Sequence, residues 1–321
     1  MLFENKFIDI FRKKFLVRSD YNKAVHYFTH HDFPRLNARL YSFLGNRGQR
    51  LVGSFYYYGD MDMTRVIIFE HGMGSGHLAY MKEIESLARH GYTVLSYDHT
   101  GSGNSEGENI CSFSQSLADL DCLIKSLSTD DIYHGMKISV VGHSWGAFSA
   151  LNIGALHSEI THIVALSGFI SVKEMSDQFL GWLSRFYTPT ILRLEEKANP
   201  EYYGKNSIES LKVSRVKAMI IHSEDDKTVH YKRHFLPMKE ALQNRENTHF
   251  LSFSDRGHNP NFTSAAVKYK ETFFLDLQAK LKANELVTDE DKQAFKNSYD
   301  WNRMTEQDVA LWDKIFEFLD N

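Results

Sequence analysis

The sequence predicts an α/β fold, a mostly parallel sheet with helices on both faces, from three observations. Short apolar runs alternate with amphipathic helical patterns from residue 65 onward, which is typical of βαβ units. Glycine-rich loops follow several of these runs, at positions where the carboxyl ends of parallel strands meet ligands. The chain of 321 residues is long enough to bury a large core in one such domain with an insertion, or in two domains.

The composition limits the classes of function that need consideration. Hydrophobic residues make up 42% and charged residues 24% of the chain, as in ordinary globular enzymes. The net charge of -4 argues against nucleic acid as a partner. The two cysteines, Cys111 and Cys122, are too few for a disulfide framework, so we expect a reducing compartment and a cytoplasmic location. We expect neither a signal peptide nor a transmembrane segment, because no window has the ~18 apolar residues that a span requires.

Residues 1–34 are predicted to form an N-terminal helical segment outside the core. The first helix places six apolar side chains on one face: Leu2, Phe3, Phe7, Ile10, Phe11 and Phe15. We expect this face to dock on the protein's own surface or on a second copy in a homodimer. The alternative is contact of residues 1–15 with a membrane surface, which the basic run Arg12–Lys14 favours. Residues 16–34 are expected to contain a second short helix and a loop.

The elements of the core follow in a regular order. Residues 36–44 and 50–58 alternate apolar and polar side chains across an Asn-Arg-Gly turn, which predicts a β-hairpin that opens the sheet. The later apolar runs predict buried strands at 65–69, 92–97, 138–141, 162–166, 216–222 and 249–253. Helical spacing predicts helices at 80–90, 112–128, 231–243 and 263–281, and a final helix at 306–319.

Residues 171–214 interrupt this alternation and are predicted to form a cap insertion. The core then comprises residues 35–170 and 215–321. An insertion at this point lies above the carboxyl ends of the strands, where ligands bind in open α/β sheets. The apolar stripe of the cap includes Phe179, Trp182 and Phe186. Either the stripe packs into the core or these three side chains line a substrate pocket, and the sequence leaves both interpretations open.

A Gly-x-Ser-x-Gly turn marks the candidate nucleophile. Ser144 lies in the pentapeptide GHSWG, between an apolar strand and a helix that is rich in small residues. A serine on such a sharp strand-to-helix turn holds its hydroxyl above the sheet, and the flanking glycines avoid collisions with the neighbouring elements. The context, more than the five-residue pattern itself, predicts that Ser144 is nucleophilic.

Three other strand ends offer the groups that a nucleophilic serine needs. The loop HGMGSG at 71–76 leaves backbone N–H groups free to face a developing negative charge, and it matches no phosphate-binding glycine pattern. Asp226 and His258 follow two later strands and have the chemistry of an orienting acid and a base. The chain order Ser, Asp, His is that of hydrolases with a nucleophile elbow. Asp225, one residue away, is the rival acid.

These motifs resemble those of the α/β-hydrolase superfamily over residues 36–321. The four segments HGMGSG, DHTGSGNSEGE, GHSWG and HSEDDKTV match the family's oxyanion loop, the loop after the next strand, the nucleophile elbow and the acid loop. The chain resembles in particular the monoacylglycerol lipase and lysophospholipase branch, which grades into serine aminopeptidase-like hydrolases. The resemblance implies an eight-stranded type of sheet with a small helical cap.

The resemblance also implies roles for individual residues. Ser144 corresponds to the nucleophile, Asp226 to the acid, His258 to the base, and the backbone N–H groups of Met73 and Trp145 to the oxyanion hole. It implies no metal and no organic cofactor. Three features depart from the family pattern: Ser223 stands where the acid loop usually has glycine, Thr100 stands where many relatives have arginine, and residues 263–300 add an element before the final helix.

The expected function is hydrolysis of a carboxylic ester through an acyl-enzyme. The aromatic stripe of the cap and the lack of a basic groove favour a small-molecule or lipid-like ester with an apolar acyl chain. Thioester hydrolysis or acyl transfer would use the same groups. Cleavage of a peptide or amide at a free N-terminus would need carboxylates for the amine, and Glu195, Glu196 and Glu201 are the candidates. A non-catalytic binding protein on the same fold would lack a triad member, and all three are present.

Overall fold

Eight strands form one twisted sheet in the computed structural model, which describes residues 2–321 and the side chains from residue 4 onward. The strands are β1 (Leu36–Leu44), β2 (Arg50–Tyr58), β3 (Arg65–Glu70), β4 (Thr93–Tyr97), β5 (Lys137–His143), β6 (Ile160–Leu166), β7 (Lys217–Ser223) and β8 (Thr248–Phe253). Their order across the sheet is β1-β2-β4-β3-β5-β6-β7-β8. The predicted hairpin β1–β2 and the pair β2–β4 are antiparallel, whereas every other neighbouring pair is parallel. The predicted mostly parallel sheet is confirmed.

The central strands are apolar throughout because both of their faces are covered. Ile68 and Val140 point into one buried cluster, and their neighbours Ile67 and Val141 point into the other. Such continuous apolar runs are typical of parallel strands that lie between two helical layers. The edge strand β1 is instead buried only at Leu36 and Phe43, with Leu40 exposed. The predicted helices on both faces are therefore confirmed.

Twelve α-helices surround the sheet among the described residues. They are α1 (Leu2–Phe15), α2 (Met81–Arg89), α3 (Gln115–Thr129), α4 (Trp145–Ile153), α5 (Val172–Leu180), α6 (Ser184–Ala198), α7 (Ser207–Val213), α8 (Tyr231–Leu242), α9 (Ser264–Lys282), α10 (Asp289–Asn297), α11 (Trp301–Met304) and α12 (Val309–Asp320). Short 3₁₀ turns lie at His30–Asp32, His77–Tyr80 and Gly181–Leu183. No helix within residues 2–321 combines the length and the apolar character that crossing a lipid bilayer demands.

The helix α1 packs on the protein's own surface, as its aromatic face predicted. The Phe7 ring stacks on Tyr187 of α6 with centroids 4.2 Å apart, and Phe15 stacks on Phe179 of α5 at 5.2 Å. Phe11 is buried between these contacts, whereas Ile10 is exposed. The side chains of Leu2 and Phe3, which belong to the same predicted face, lie outside the described residues.

The second short α-helix expected within residues 16–34 is wrong, because the helical structure of this stretch is limited to the three-residue 3₁₀ turn at His30–Asp32. The chain instead runs extended along the loop that follows β4. The Arg18 guanidinium donates to the carbonyl oxygens of Ser105 (3.0 Å), Gly107 (2.7 Å) and Gly103 (2.6 Å). Backbone bonds between Ser19 and this loop fix the same path. These long-range bonds replace the helical bonds that the local pattern suggested.

Helices α9, α10 and α11 form a small helical unit between β8 and the last helix. Phe273 and Leu277 of α9 pack with Phe295 and Met304 in a cluster separate from the two main cores. Ala24 of the N-terminal segment completes this cluster. In contrast, α12 packs into a main core through five apolar side chains: Leu311, Trp312, Ile315, Phe318 and Leu319. The extra element therefore lies beside the N-terminal segment, above the sheet edge on which Ser144 is found.

Candidate active site

Ser144 lies on a strained turn between β5 and α4. Its φ of 55° and ψ of -111° are unfavourable for a residue with a side chain and cost about 1–3 kcal/mol. A Cβ atom at Gly142 would overlap the backbone of Gly146, and one at Gly146 would overlap the backbone of Glu70. Both glycines are therefore required for the sharp reversal that exposes the Ser144 hydroxyl.

A continuous hydrogen-bond chain joins Ser144, His258 and Asp226. The Ser144 Oγ lies 2.9 Å from His258 Nε2, and His258 Nδ1 lies 2.8 Å from the Oδ2 atom of Asp226. The Nδ1–H group donates to the carboxylate, so Nε2 is free to accept the hydroxyl proton of Ser144. The three residues follow β5, β7 and β8, whose carboxyl ends meet at one edge of the sheet.

The carboxylate of Asp226 is held ionised in a buried position. Burial opposes its charge, but the hydrogen bond and the charge of His258 outweigh burial and hold the pKa of Asp226 below its usual range. Its Oδ1 atom also accepts the backbone N–H groups of Thr228 (2.8 Å) and Val229 (3.0 Å). These bonds fix the carboxylate in the orientation that faces His258.

The rival acid Asp225 makes different contacts. Its Oδ1 accepts the Ser223 hydroxyl at 2.6 Å and the Gly257 N–H at 2.8 Å. It therefore holds the loop that carries His258 but does not bond the imidazole. Ser223, which replaces the usual glycine of the family pattern, supplies one of these bonds. Of the two acids that the sequence left open, the geometry joins Asp226 to His258.

The backbone N–H groups of Met73 and Trp145 are available to a ligand. The Met73 N–H donates no hydrogen bond to any described residue, and the Trp145 N–H opens α4, whose first turn lacks intrahelical acceptors. The Trp145 side chain is buried, and its Nε1 donates to the Phe113 carbonyl at 2.5 Å. The assignment of these two N–H groups to an oxyanion hole remains a prediction.

His143 connects three parts of the site, a role that the sequence did not reveal. Its Nε2 donates to the His258 carbonyl at 2.7 Å, and its Nδ1 accepts the Tyr80 hydroxyl at 2.9 Å. The Tyr80 oxygen in turn accepts the Gly72 N–H at 3.0 Å. Burial, together with the charge of His258, lowers the pKa of His143 to about 3, so its ring is neutral and can donate and accept at once. The only sequence signal was its place beside Ser144.

The loop DHTGSGNSEGE after β4 holds the oxyanion loop in place through Asp98, which binds His77 at the end of that loop. Asp98 accepts the His77 N–H (2.8 Å), the His77 ring (2.7 Å), the Tyr21 hydroxyl (2.9 Å) and the Asn104 N–H (2.7 Å). Thr100, which stands where many relatives have arginine, donates to the buried Asp119 at 2.8 Å. The motif therefore shapes the site and does not enter it.

A cavity of about 730 Å³ opens beside Ser144 and His258. Its polar end is formed by the oxyanion loop, Tyr80 and His143. Its apolar wall comes from the N-terminal segment, α9, α11 and the loop before α9: Val25, Phe262, Val267, Phe273, Phe274, Leu277, Trp301 and Met304. None of these residues was predicted from the sequence to belong to the site.

Phe179, Trp182 and Phe186 do not line this cavity, which corrects their interpretation as a substrate pocket. Phe179 packs on α1, while Trp182 is 76% exposed and Phe186 54% exposed at a shallow groove beside Glu4. The alternative interpretation, that the stripe packs into the core, is also wrong for Trp182, because this side chain is exposed. The physical reason is that α5 and α6 pack against each other and against α1, so the stripe faces α1 and solvent, whereas α9 covers the cavity.

The cap carboxylates do not form an amine site. Glu195 is buried and accepts the backbone N–H groups of Phe113 (2.7 Å) and Ser114 (3.0 Å), so it fixes the start of α3. Glu196 and Glu201 are exposed and do not line the cavity. Among the described residues, no group of three or more His, Cys, Asp or Glu side chains is arranged to hold a metal ion.

Comparison with known proteins identifies similar sequences and folds. The model of the family described as "Serine aminopeptidase, S33" matches residues 62–248. An uncharacterized membrane protein of Saccharomyces cerevisiae is 33% identical over 97 residues, which are 30% of this chain and 34% of that protein. The chain thus spans about a third of the length of this curated relative.

Solved structures extend the likeness across most of the chain. The esterase Pf2001 of Pyrococcus furiosus has a TM-score of 0.59 at 19% identity, covering 83% of this chain and 96% of its own. The α/β hydrolase GrgF of Penicillium has a TM-score of 0.54 at 16% identity, covering 81% and 99%. The acylaminoacyl peptidase of Pyrococcus horikoshii has a TM-score of 0.53 at 14% identity, covering 71% and 39%. At these identities the likeness concerns the fold.

Proposed function

We propose that this chain, which belongs to the serine aminopeptidase S33 family of α/β-hydrolases, hydrolyses carboxylic esters with an apolar acyl chain. The main support for the proposal is the hydrogen-bonded triad Ser144, His258 and Asp226, of which Ser144 and His258 line a largely apolar cavity. Ester hydrolysis needs a nucleophile, a base and a place for the acyl chain, and these three lie together here.

In the proposed first step, the Ser144 oxygen attacks the ester carbonyl while His258 takes the hydroxyl proton. The ionised Asp226 stabilises the imidazolium that forms and keeps its Nε2 directed at Ser144. The N–H groups of Met73 and Trp145 would donate to the tetrahedral oxyanion, where one lost donor typically costs about 10²–10³-fold in rate. His258 then passes its proton to the leaving alcohol.

In the second step, water hydrolyses the acyl-enzyme. His258 takes a proton from the water, whose oxygen attacks the acyl carbonyl, and Ser144 recovers its proton when it leaves. The chemistry uses side chains and backbone N–H groups alone. A thioester would react through the same groups, with a thiol as the leaving group. Acyl transfer would also use them, with an alcohol or a thiol in place of water as the acceptor. Both reactions therefore belong to the same proposal.

The cavity favours a small-molecule or lipid-like ester as the substrate. Its aromatic and aliphatic wall removes an acyl chain from water, and each buried methylene contributes about 0.8 kcal/mol. We place the reaction in a reducing, cytoplasmic compartment because both cysteines, Cys111 and Cys122, are free thiols.

Cleavage of a peptide or amide beside a free amine is the second candidate, because Glu83 and Glu271 line the cavity. Glu83 is buried and already accepts the side-chain amide of Asn261 at 2.9 Å, and burial raises its pKa above the usual range. Glu271 is exposed to solvent. Because Glu83 is engaged by Asn261 and Glu271 faces solvent, neither is a dedicated amine site, and the ester is favoured.

A series of 4-nitrophenyl esters from acetate to palmitate, measured beside aminoacyl arylamides, tests the proposal. We expect kcat/KM to rise with acyl length up to a medium chain and the arylamides to be poor substrates. Fluorophosphonate labelling should occur in the wild type and in Ser128→Ala, a serine on the exposed side of α3, and should vanish in Ser144→Ala. Turnover of arylamides above esters would favour the second candidate.

A further inference from the structure

Three buried titratable side chains lie behind the oxyanion loop and take no part in the proposed chemistry. They are Glu70 at the end of β3, His99 after β4 and Asp119 of α3, and each is fully buried. The Nε2 atom of His99 lies 3.3 Å from the Oε2 atom of Glu70, and its Nδ1 atom lies 3.5 Å from the Oδ2 atom of Asp119. Only an imidazolium carries a proton on both nitrogens, so this arrangement favours the charged form of His99.

The two carboxylates stabilise the charge on His99. Burial opposes this charge, but Glu70 and Asp119 together outweigh burial and raise the pKa of His99. Asp119 is fixed from another side, because its carboxylate accepts the N–H and the hydroxyl of Thr100, each at 2.8 Å. A buried cluster of charges costs desolvation energy, and apolar side chains of similar size would usually stabilise a fold as well or better. Stability alone therefore does not account for these residues.

The cluster is joined to the oxyanion loop through His71. The Nε2 atom of His71 accepts the backbone N–H of His99 at 3.0 Å, and its Nδ1–H donates to the Gly72 carbonyl oxygen at 2.8 Å. The two imidazole rings lie against each other with centroids 4.3 Å apart. Burial, together with the charge of His99, lowers the pKa of His71 to about 3, so its ring is neutral and keeps the tautomer that both bonds need.

The bond from His71 fixes the direction of the Met73 N–H group. The Gly72 carbonyl and the Met73 N–H belong to one planar trans peptide, in which the two groups point in opposite directions. The carbonyl points at the buried ring of His71, so the N–H points away from it, and Gly72 and Met73 border the cavity beside Ser144. A movement of the His71 ring would turn this peptide and displace the N–H.

We propose that Glu70 and His99 are positioning residues for the oxyanion hole, because their ion pair holds His71 and His71 directs the Met73 N–H. The proposal rests on the ester hydrolysis proposed above and deepens it. The ring of His99 also lies 5.0 Å from that of Trp145, measured between centroids, so one cluster supports both of the proposed donors. A donor stabilises an oxyanion most when it is held in place before the charge develops.

Isosteric removal of charge tests the positioning role. Glu70→Gln and His99→Gln remove the ion pair with little change in side-chain volume. The matched control is Glu85→Gln, which neutralises another buried carboxylate, one whose partners are Tyr58 and Arg89. The protein is the full chain in every case.

Two inhibitors with the same number of carbons report on the oxyanion and on ground-state binding. With 1,1,1-trifluorononan-2-one, the Ser144 oxygen bonds to the carbonyl carbon, His258 takes the hydroxyl proton, and the carbonyl oxygen becomes an oxyanion. Nonan-2-ol has no carbonyl and binds through its chain alone. The inhibition constant of each is measured against 4-nitrophenyl hexanoate, together with kcat and KM for this ester.

In Glu70→Gln and in His99→Gln we expect the inhibition constant of the ketone to rise about tenfold and kcat to fall about tenfold. KM and the inhibition constant of the alcohol should stay within about twofold, and Glu85→Gln should keep all four quantities within this range. Inhibition constants do not depend on the fraction of folded enzyme, so partial unfolding of a variant does not imitate this result. Equal weakening of the ketone and the alcohol, or an equally large effect in Glu85→Gln, would overturn the positioning role.

Hydrogen exchange of the free protein separates this role from the proposed chemistry. The amides of residues 71–76 should exchange about tenfold faster in Glu70→Gln and His99→Gln than in the wild type, and at the wild-type rate in Glu85→Gln. A wild type that hydrolyses no ester would refute the esterase, and the exchange rates would still support or refute the positioning role. Unchanged exchange of this loop in both variants would refute the role even if the ester series succeeded.

Discussion

Truncation of Phe274 to alanine should reduce activity on long acyl chains, whereas truncation of Trp182 should not. Phe274 lies on α9 and lines the cavity, while Trp182 is 76% exposed on the cap and lines no part of it. Comparing the two variants therefore tests whether the acyl chain contacts α9, as the structure indicates, or the cap, as the sequence suggested.

The expected magnitude follows from the contact that is lost. A phenyl ring at the cavity wall covers about two or three methylenes of a bound chain, and each is worth about 0.8 kcal/mol, so the loss is roughly 1.5–2.5 kcal/mol. This corresponds to a decrease of about 10- to 70-fold in kcat/KM for decanoate. Acetate does not reach the wall, so its kcat/KM should change less than about threefold.

The assay measures kcat/KM on 4-nitrophenyl acetate and decanoate, with the thermal unfolding midpoint of each variant. Phe274 is 44% exposed, so Phe274→Ala should shift the midpoint by only a few degrees. Phe273→Ala serves as the contrast, because this fully buried neighbour should cost about 3–5 kcal/mol of stability. A uniform loss on both esters in Phe274→Ala, or a chain-length effect in Trp182→Ala, would refute the reasoning.

Three further predictions concern the catalytic end of the cavity. Ser144→Ala should abolish ester turnover and keep the unfolding midpoint within a few degrees, as measured by calorimetry, since the exposed hydroxyl contributes little to stability. Asp226→Asn should lower kcat by about 10⁴-fold, because the imidazole would then be held in the wrong tautomer, and Asp225→Asn should lower it far less; a larger effect of Asp225→Asn would mean that Asp225 is the acid. Tyr80→Phe should lower kcat about tenfold with little change in KM, because His143 and the oxyanion loop lose their link; an effect on KM alone would contradict this role.

The polar end of the site could be predicted from the sequence because its signals are local. Ser144, Asp226 and His258 each follow an apolar strand, and parallel strands bring their carboxyl ends to one edge of the sheet. The sequence favoured Asp226 as the acid but kept Asp225 as a rival, because the choice depends on which of two adjacent side chains faces the imidazole. That orientation comes from the turn at Thr228 and Val229, whose N–H groups bind Asp226.

The apolar wall could not be predicted, because an amphipathic stripe shows that a helix face is covered but not what covers it. The stripe of the cap is covered in part by α1, which lies far away in the sequence. For α9 a signal did exist in the segment FFLDL at 273–277. Adjacent residues of a helix point about 100° apart, so Phe273 and Phe274 face different surroundings, a core and something else.

The second of these surroundings is the cavity, and its opposite side comes from the other end of the chain. Phe273 packs with Ala24 in the small core, and Val25 and Phe274 line the cavity beside them. Residues 22–27 reach this place because Arg18 is fixed to the loop after β4 by three carbonyl bonds. The wall therefore forms only when two segments about 250 residues apart in a chain of 321 meet, and no local window contains both. We therefore expect loss of the Arg18 bonds to loosen the N-terminal side of the cavity wall.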